Sequence, residues 1–151
     1  MELLKVNQRL SESVAHDSTV TMAYEYRQKK RVRTALDNGE DAGIFLPSGG
    51  PLRGGDLLRA VDGRVIKVRA AREPVSTVAS EDSPLLAKAA YHLGNRHVLL
   101  QFGDDWLRYL RDTVLDEMVT GLGLSVRHEM EAFEPEPGAY HDVMDRVGIH
   151  D

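Results

Sequence analysis

The chain has 151 residues, and its 19 Lys and Arg against 24 Asp and Glu leave a formal net charge of −5 with the six histidines neutral. A composition of 42% hydrophobic and 28% charged residues excludes disordered and collagen-like classes, and no run approaches the roughly 18 apolar residues of a membrane span, so a globular protein with a cytoplasmic address is expected. With no cysteine, disulfide scaffolds, thiolate zinc sites, iron–sulfur clusters and cysteine nucleophiles are impossible, and any metal must be held by imidazole or carboxylate.

In chain order, residues 20–22 and 32–36 are β-branched or apolar with polar alternation, and Asp37-Asn38-Gly39 closes the second run as a hairpin turn. Residues 43–46 form a further apolar run before Pro47-Ser48-Gly49-Gly50-Pro51 and Gly54-Gly55 interrupt the pattern. Residues 57–61 and 65–70 flank Asp62-Gly63, the clearest hairpin signal in the chain. Nothing before residue 72 sustains a helical period, so residues 1–72 predict a small all-β domain of two packed short sheets.

The texture then changes. Residues 75–79 read as a strand, and Ser83-Pro84 predicts a helix start with Ser83 as the cap. A stripe of Leu85, Leu86, Ala89, Ala90 and Leu93 follows, with Gly94 placed to stop the helix. Residues 98–102 and 106–110 read as strands joined by Gly103-Asp104-Asp105. Asp112 then precedes a second stripe of the same spacing: Val114, Leu115, Met118, Val119 and Leu122. Residues 125–132 alternate as a last strand. The whole is α+β, with residues 73–137 arranged as a ferredoxin-like βαββαβ domain and a flexible tail over 138–151.

No two of the six histidines sit at a ligand-pair spacing on one helix face. His92 falls in the last turn of the first long helix, where the dipole favours a cation and a terminal carbonyl is within reach. His128 is in phase with Val126 and Met130 and predicts packing at a sheet edge; His16 lies in a polar loop, and His141 and His150 in the tail. His97 ends the loop Gly94-Asn95-Arg96-His97, from which a side chain can project. The basic run Arg27-Gln28-Lys29-Lys30-Arg31-Val32-Arg33 departs from the acidic average and suits a docking patch, or a nucleic-acid module as the alternative function. No nucleophile elbow, phosphate-binding glycine loop or carboxylate dyad is present, so no enzyme is expected.

Residues Ala90-Tyr91-His92-Leu93-Gly94-Asn95-Arg96-His97-Val98, then Leu100-Gln101, the stripe within 112–122, and Phe133-Glu134-Pro135-Glu136 with Gly138-Ala139-Tyr140 together form a pattern. It resembles the urease accessory metallochaperones of the UreE family. Arg27-Gln28-Lys29, Ile44-Phe45-Leu46-Pro47 and Leu52-Arg53-Gly54-Gly55-Asp56 are similar to that family's N-terminal domain. The resemblance implies a partner-docking β domain and a metal-binding domain that forms a homodimer, delivering Ni²⁺ to apo-urease together with the accessory GTPase. It implies His97 from both subunits as the metal ligand, with His141 and His150 as auxiliary ligands, and neither nucleic acid nor membrane as a partner. Zn²⁺ or Cu²⁺ can compete for imidazoles, and uptake should weaken as imidazoles protonate near a pH of about 6.5. Many relatives end in a His-rich tract and some carry histidines near Arg111 and Thr113. This sequence has neither, so few ions per dimer are expected.

Overall fold

The computed structural model describes residues 2–137, and the chain divides between Ala71 and Arg72 into two units, each with its own sheet and core. The first unit carries β1 (Leu4–Leu10), β2 (Ser18–Met22), α1 (Tyr24–Arg27), β3 (Arg31–Ala35), β4 (Asp41–Phe45), β5 (Leu57–Ala60) and β6 (Val65–Ala70). Both predicted hairpin turns are present: β3 pairs antiparallel with β4, and β5 with β6. The expectation of two packed sheets is corrected. All six strands join one sheet in the order β2-β6-β5-β1-β4-β3.

The reason lies in β1. It pairs parallel with β4 on one side and antiparallel with β5 on the other, so it stitches the two hairpins together. In the sequence this strand is obscured, because only Leu4 and Val6 point inward before the polar Asn7-Gln8-Arg9, and a register shift falls between Val6 and Gln8. β2 is likewise held by a distant strand, running parallel to β6. Val6, Val20, Ile44, Leu58 and Val68 meet in the core. Removing each from water is worth about 1.5–3 kcal/mol, which outweighs the loose local patterning.

The second unit carries β7 (Arg72–Ala79), α2 (Ser83–Asn95), β8 (Gln101–Phe102), β9 (Trp106–Leu110), α3 (Thr113–Gly121) and β10 (Arg127–Ala132). Its strands lie in the order β10-β7-β9-β8, and every neighbouring pair is antiparallel. Ala89 and Leu93 of α2 and Leu115 and Val119 of α3 share one core with Val78 and Leu107 of the sheet. The repeated apolar stripe seen in the sequence is therefore the buried or half-buried face of both helices, except for Val114, which is exposed. β8 is shorter than predicted: the carbonyl of Leu100 accepts the Glu136 amide at 2.7 Å, so the chain after β10 returns to this edge.

Candidate metal centre

Both long helices start and end in the same way, and His97 is the exception within that pattern. Asp82 caps α2, accepting the Leu85 amide at 3.0 Å, which corrects the expectation that Ser83 is the cap. Pro84 sits inside the first turn, where its missing N–H costs nothing. Asp112 caps α3 equally, accepting the Leu115 amide at 3.1 Å. At the other end α2 runs past Gly94 to Asn95. The His97 amide then donates to the Gly94 carbonyl at 2.9 Å, and the Val98 amide to the Leu93 carbonyl at 3.2 Å. α3 ends with the matching pair, Gly123 to Thr120 at 3.0 Å and Leu124 to Val119 at 3.4 Å.

This two-bond closure needs a left-handed residue just after the cap, a place that glycine usually fills. α3 meets the need with Gly123 at φ 99°, whereas α2 meets it with His97 at φ 60°. Among the described residues His97 is the only non-glycine with positive φ. A side chain there costs about 1–2 kcal/mol of backbone strain, and strain of this kind concentrates at functional positions. The left-handed residue turns the chain off the helix axis, and the imidazole is exposed at the turn. The signal was present in the sequence: Leu93-Gly94-Asn95-Arg96-His97-Val98 aligns with Val119-Thr120-Gly121-Leu122-Gly123-Leu124, with histidine opposite glycine.

The other histidines take different roles. His92 is exposed in the last turn of α2, and its ring meets Tyr91 edge-on at 5.3 Å. His16 is exposed in the loop after β1. His128 stands on edge strand β10, but its Nε2 lies 2.8 Å from Asp116 Oδ2, so it is tied to α3 by a hydrogen bond that sequence reasoning missed. Asp116 also accepts the Ser76 hydroxyl and the Tyr109 phenol, both at 2.7 Å. Burial alone would raise the Asp116 pKa, but hydrogen bonds from Tyr109, His128 and Ser76 outweigh it and hold the carboxyl below its ordinary value. Burial, reinforced by the bond to Asp116, pushes the Tyr109 phenol well up.

Among the described residues no three His, Asp or Glu side chains gather as a ligand set within one chain. His141 and His150 lie outside the described residues. The chain leading to them is placed, however: Phe133 is buried, the Glu134 amide donates to Gln101 Oε1 at 3.0 Å, and Glu136 is bonded to Leu100. Glu136 therefore lies beside a residue only three positions from His97 in the sequence.

The basic run does not form one continuous patch. Arg27 is 1% exposed and donates to the carbonyls of Met22 and Leu52, both at 3.0 Å, so it braces α1 instead of facing a partner. Arg31 stacks on Phe45 and Arg33 pairs with Asp41 at 3.4 Å. No helix among the described residues is long and apolar enough to cross a membrane.

Comparison with known proteins agrees with this two-unit division. The model for the N-terminal domain of UreE urease accessory protein matches residues 3–71, and that for its C-terminal domain matches residues 73–151. The chain belongs to the UreE family. It is 51% identical over 138 residues to the urease accessory protein UreE of Alkalilimnicola ehrlichii, spanning 91% of this chain and 85% of that protein. It is 54% identical over 121 residues to UreE of Vibrio parahaemolyticus, spanning 80% of this chain and 76% of that protein. For UreE of Shewanella halifaxensis the identity is 50% over 138 residues, with 91% and 80% spanned.

Proposed function

We propose that this UreE-family chain is a nickel chaperone of urease maturation. It holds Ni²⁺ between the His97 imidazoles of two copies and hands the ion on for assembly of the urease active site. The observation that carries this reading is the left-handed, exposed His97 at the end of α2. One imidazole is a poor site, and a two-fold axis supplies the second without any further residue. Tyr91 and Leu99, both exposed near His97, offer the apolar surface that such a contact would cover. The second unit, read as a ferredoxin-like domain, is the metal-binding and dimerising part. The first unit docks the accessory GTPase and apo-urease, and neither unit acts as an enzyme.

Ligand chemistry supports carriage over storage. Two neutral nitrogens at an exposed position hold an ion without enclosing it, which suits release. His141 and His150 are auxiliary ligands in this reading. An extended chain covers at most about 3.6 Å per residue, and His141 stands only five residues beyond Glu136 in the sequence, a spacing that permits it to reach the His97 loop. Nickel is the cargo, and Zn²⁺ or Cu²⁺ competes for the same nitrogens.

Calorimetric titration of Ni²⁺ into the full chain tests the assignment. His97→Ala should abolish the tight phase while the dimer stays folded; undiminished tight binding would sink it. Truncation after Tyr140 should weaken the site moderately, and unchanged affinity would leave water, not tail imidazole, completing the shell.

A further inference from the structure

A cleft of about 290 Å³ opens between the first half of α2 and the β8–β9 turn, and neither His97 nor Asp116 lines it. Leu86, Ala90 and Phe102 supply its apolar lining, and Phe102 is left 47% exposed. Its charged lining is Glu81, Asp104 and Asp105, and no Lys, Arg or His lines it. None of these three carboxylates has an ion pair or side-chain hydrogen bond among the described residues. The amino end of α2 opens nearby, but Asp82 already answers it.

An apolar floor ringed by unmatched carboxylates selects its occupant by charge. Another acidic surface is repelled, whereas an apolar side chain flanked by cations gains burial and electrostatic complementarity together. We propose that this cleft docks a basic segment of a partner protein. One large apolar side chain sits against Phe102, and flanking Lys or Arg pair with Glu81, Asp104 and Asp105. The cleft contains no histidine, so docking there stands or falls independently of the nickel reading.

Trp106 is the only tryptophan of the chain, lines the cleft, and lays its indole over Gly103 in the β8–β9 turn. Its emission is thus a built-in reporter. The probe is an acetylated, amidated Lys-Arg-Leu-Arg-Lys peptide titrated into the full-length protein. A saturable change in Trp106 emission that weakens with added salt is expected. Affinity should fall at least tenfold in the triple variant E81K/D104K/D105K, and also when serine replaces the peptide leucine, but should be unchanged in His97→Ala. If the triple variant folds poorly, E81Q/D104N/D105N gives the same test with a smaller loss. Equal affinity for a peptide with Glu in place of its cations, or an affinity unmoved by either triple variant, overturns the proposal. Sedimentation showing self-association that the triple variant abolishes would overturn it too, assigning the cleft to a second copy's basic strand β3.

Discussion

His97 and Gly123 occupy equivalent positions after the two helices, and the difference between them is a measurable strain. Relieving it at His97 should stabilise the protein, less the entropy that glycine loses on folding. His97→Gly is therefore expected to gain about 0.5–1 kcal/mol, seen as a melting temperature a few degrees higher, while tight Ni²⁺ binding disappears. A variant that loses both stability and binding would mean that the imidazole is a packing element. The mirror substitution Gly123→Ala should cost about 1 kcal/mol, since φ 99° disfavours any Cβ although its nearest neighbour, Leu85 Cδ2, would lie at an ordinary contact distance of 4.0 Å. Arg27 belongs to the same scale. Its removal as Arg27→Ala empties a buried site and takes a donor from the Leu52 and Met22 carbonyls, of which Met22 keeps the Ala71 amide. A loss of about 2–4 kcal/mol in urea unfolding is expected, and a surface-like loss under 0.5 kcal/mol would contradict the bracing role.

At the scale of elements, α3 is joined to three strands through one carboxylate. Asp116 receives Ser76 from β7, Tyr109 from β9 and His128 from β10. Its side chain is 15% exposed, so losing it is felt: Asp116→Ala should cost roughly 2 kcal/mol. The pH dependence has a definite sign. The folded-state pKa lies below the ordinary 3.8, so the unfolded chain binds this proton first as pH falls. The stabilisation is complete above about pH 4–5 and fades as pH drops through the lower folded value. Wild type and Asp116→Asn should accordingly differ in urea midpoint at pH 7 and converge towards pH 3. A gap that stays constant over that range would rule out the carboxylate charge as its source.

For the whole molecule, the shared site we propose would make metal affinity a function of protein concentration. An ion that needs His97 from two chains binds more weakly once dilution separates them, because association and metal binding are linked. Ni²⁺ affinity measured across a dilution series should fall with protein concentration, and native mass spectrometry should show one ion per two chains at the tight site. An affinity independent of concentration down to the monomer would place the whole site on one chain. The pairing of β1 with both hairpins, and of β10 with β7, belongs to the same scale: the partners are far apart in sequence, so each unit gains its sheet only when its whole segment closes.

The local rules were readable because local physics enforces them. Period-3.6 stripes, polar capping residues before helices and the Asp37-Asn38-Gly39 and Asp62-Gly63 turns marked both long helices and both hairpins, since propensity and capping act within a few residues. What escaped them was set by distant partners: β1 is too polar to declare itself, the cap at α2 moved to Asp82, and Arg27 turned inward to carbonyls 5 and 25 residues away. The same division runs through the candidate site. Sequence by itself excluded thiolates and singled out His97 by its motif. Only the tertiary structure showed why that residue stands out: closing α2 takes a left-handed turn, and this chain spends it on an imidazole where its twin helix uses glycine.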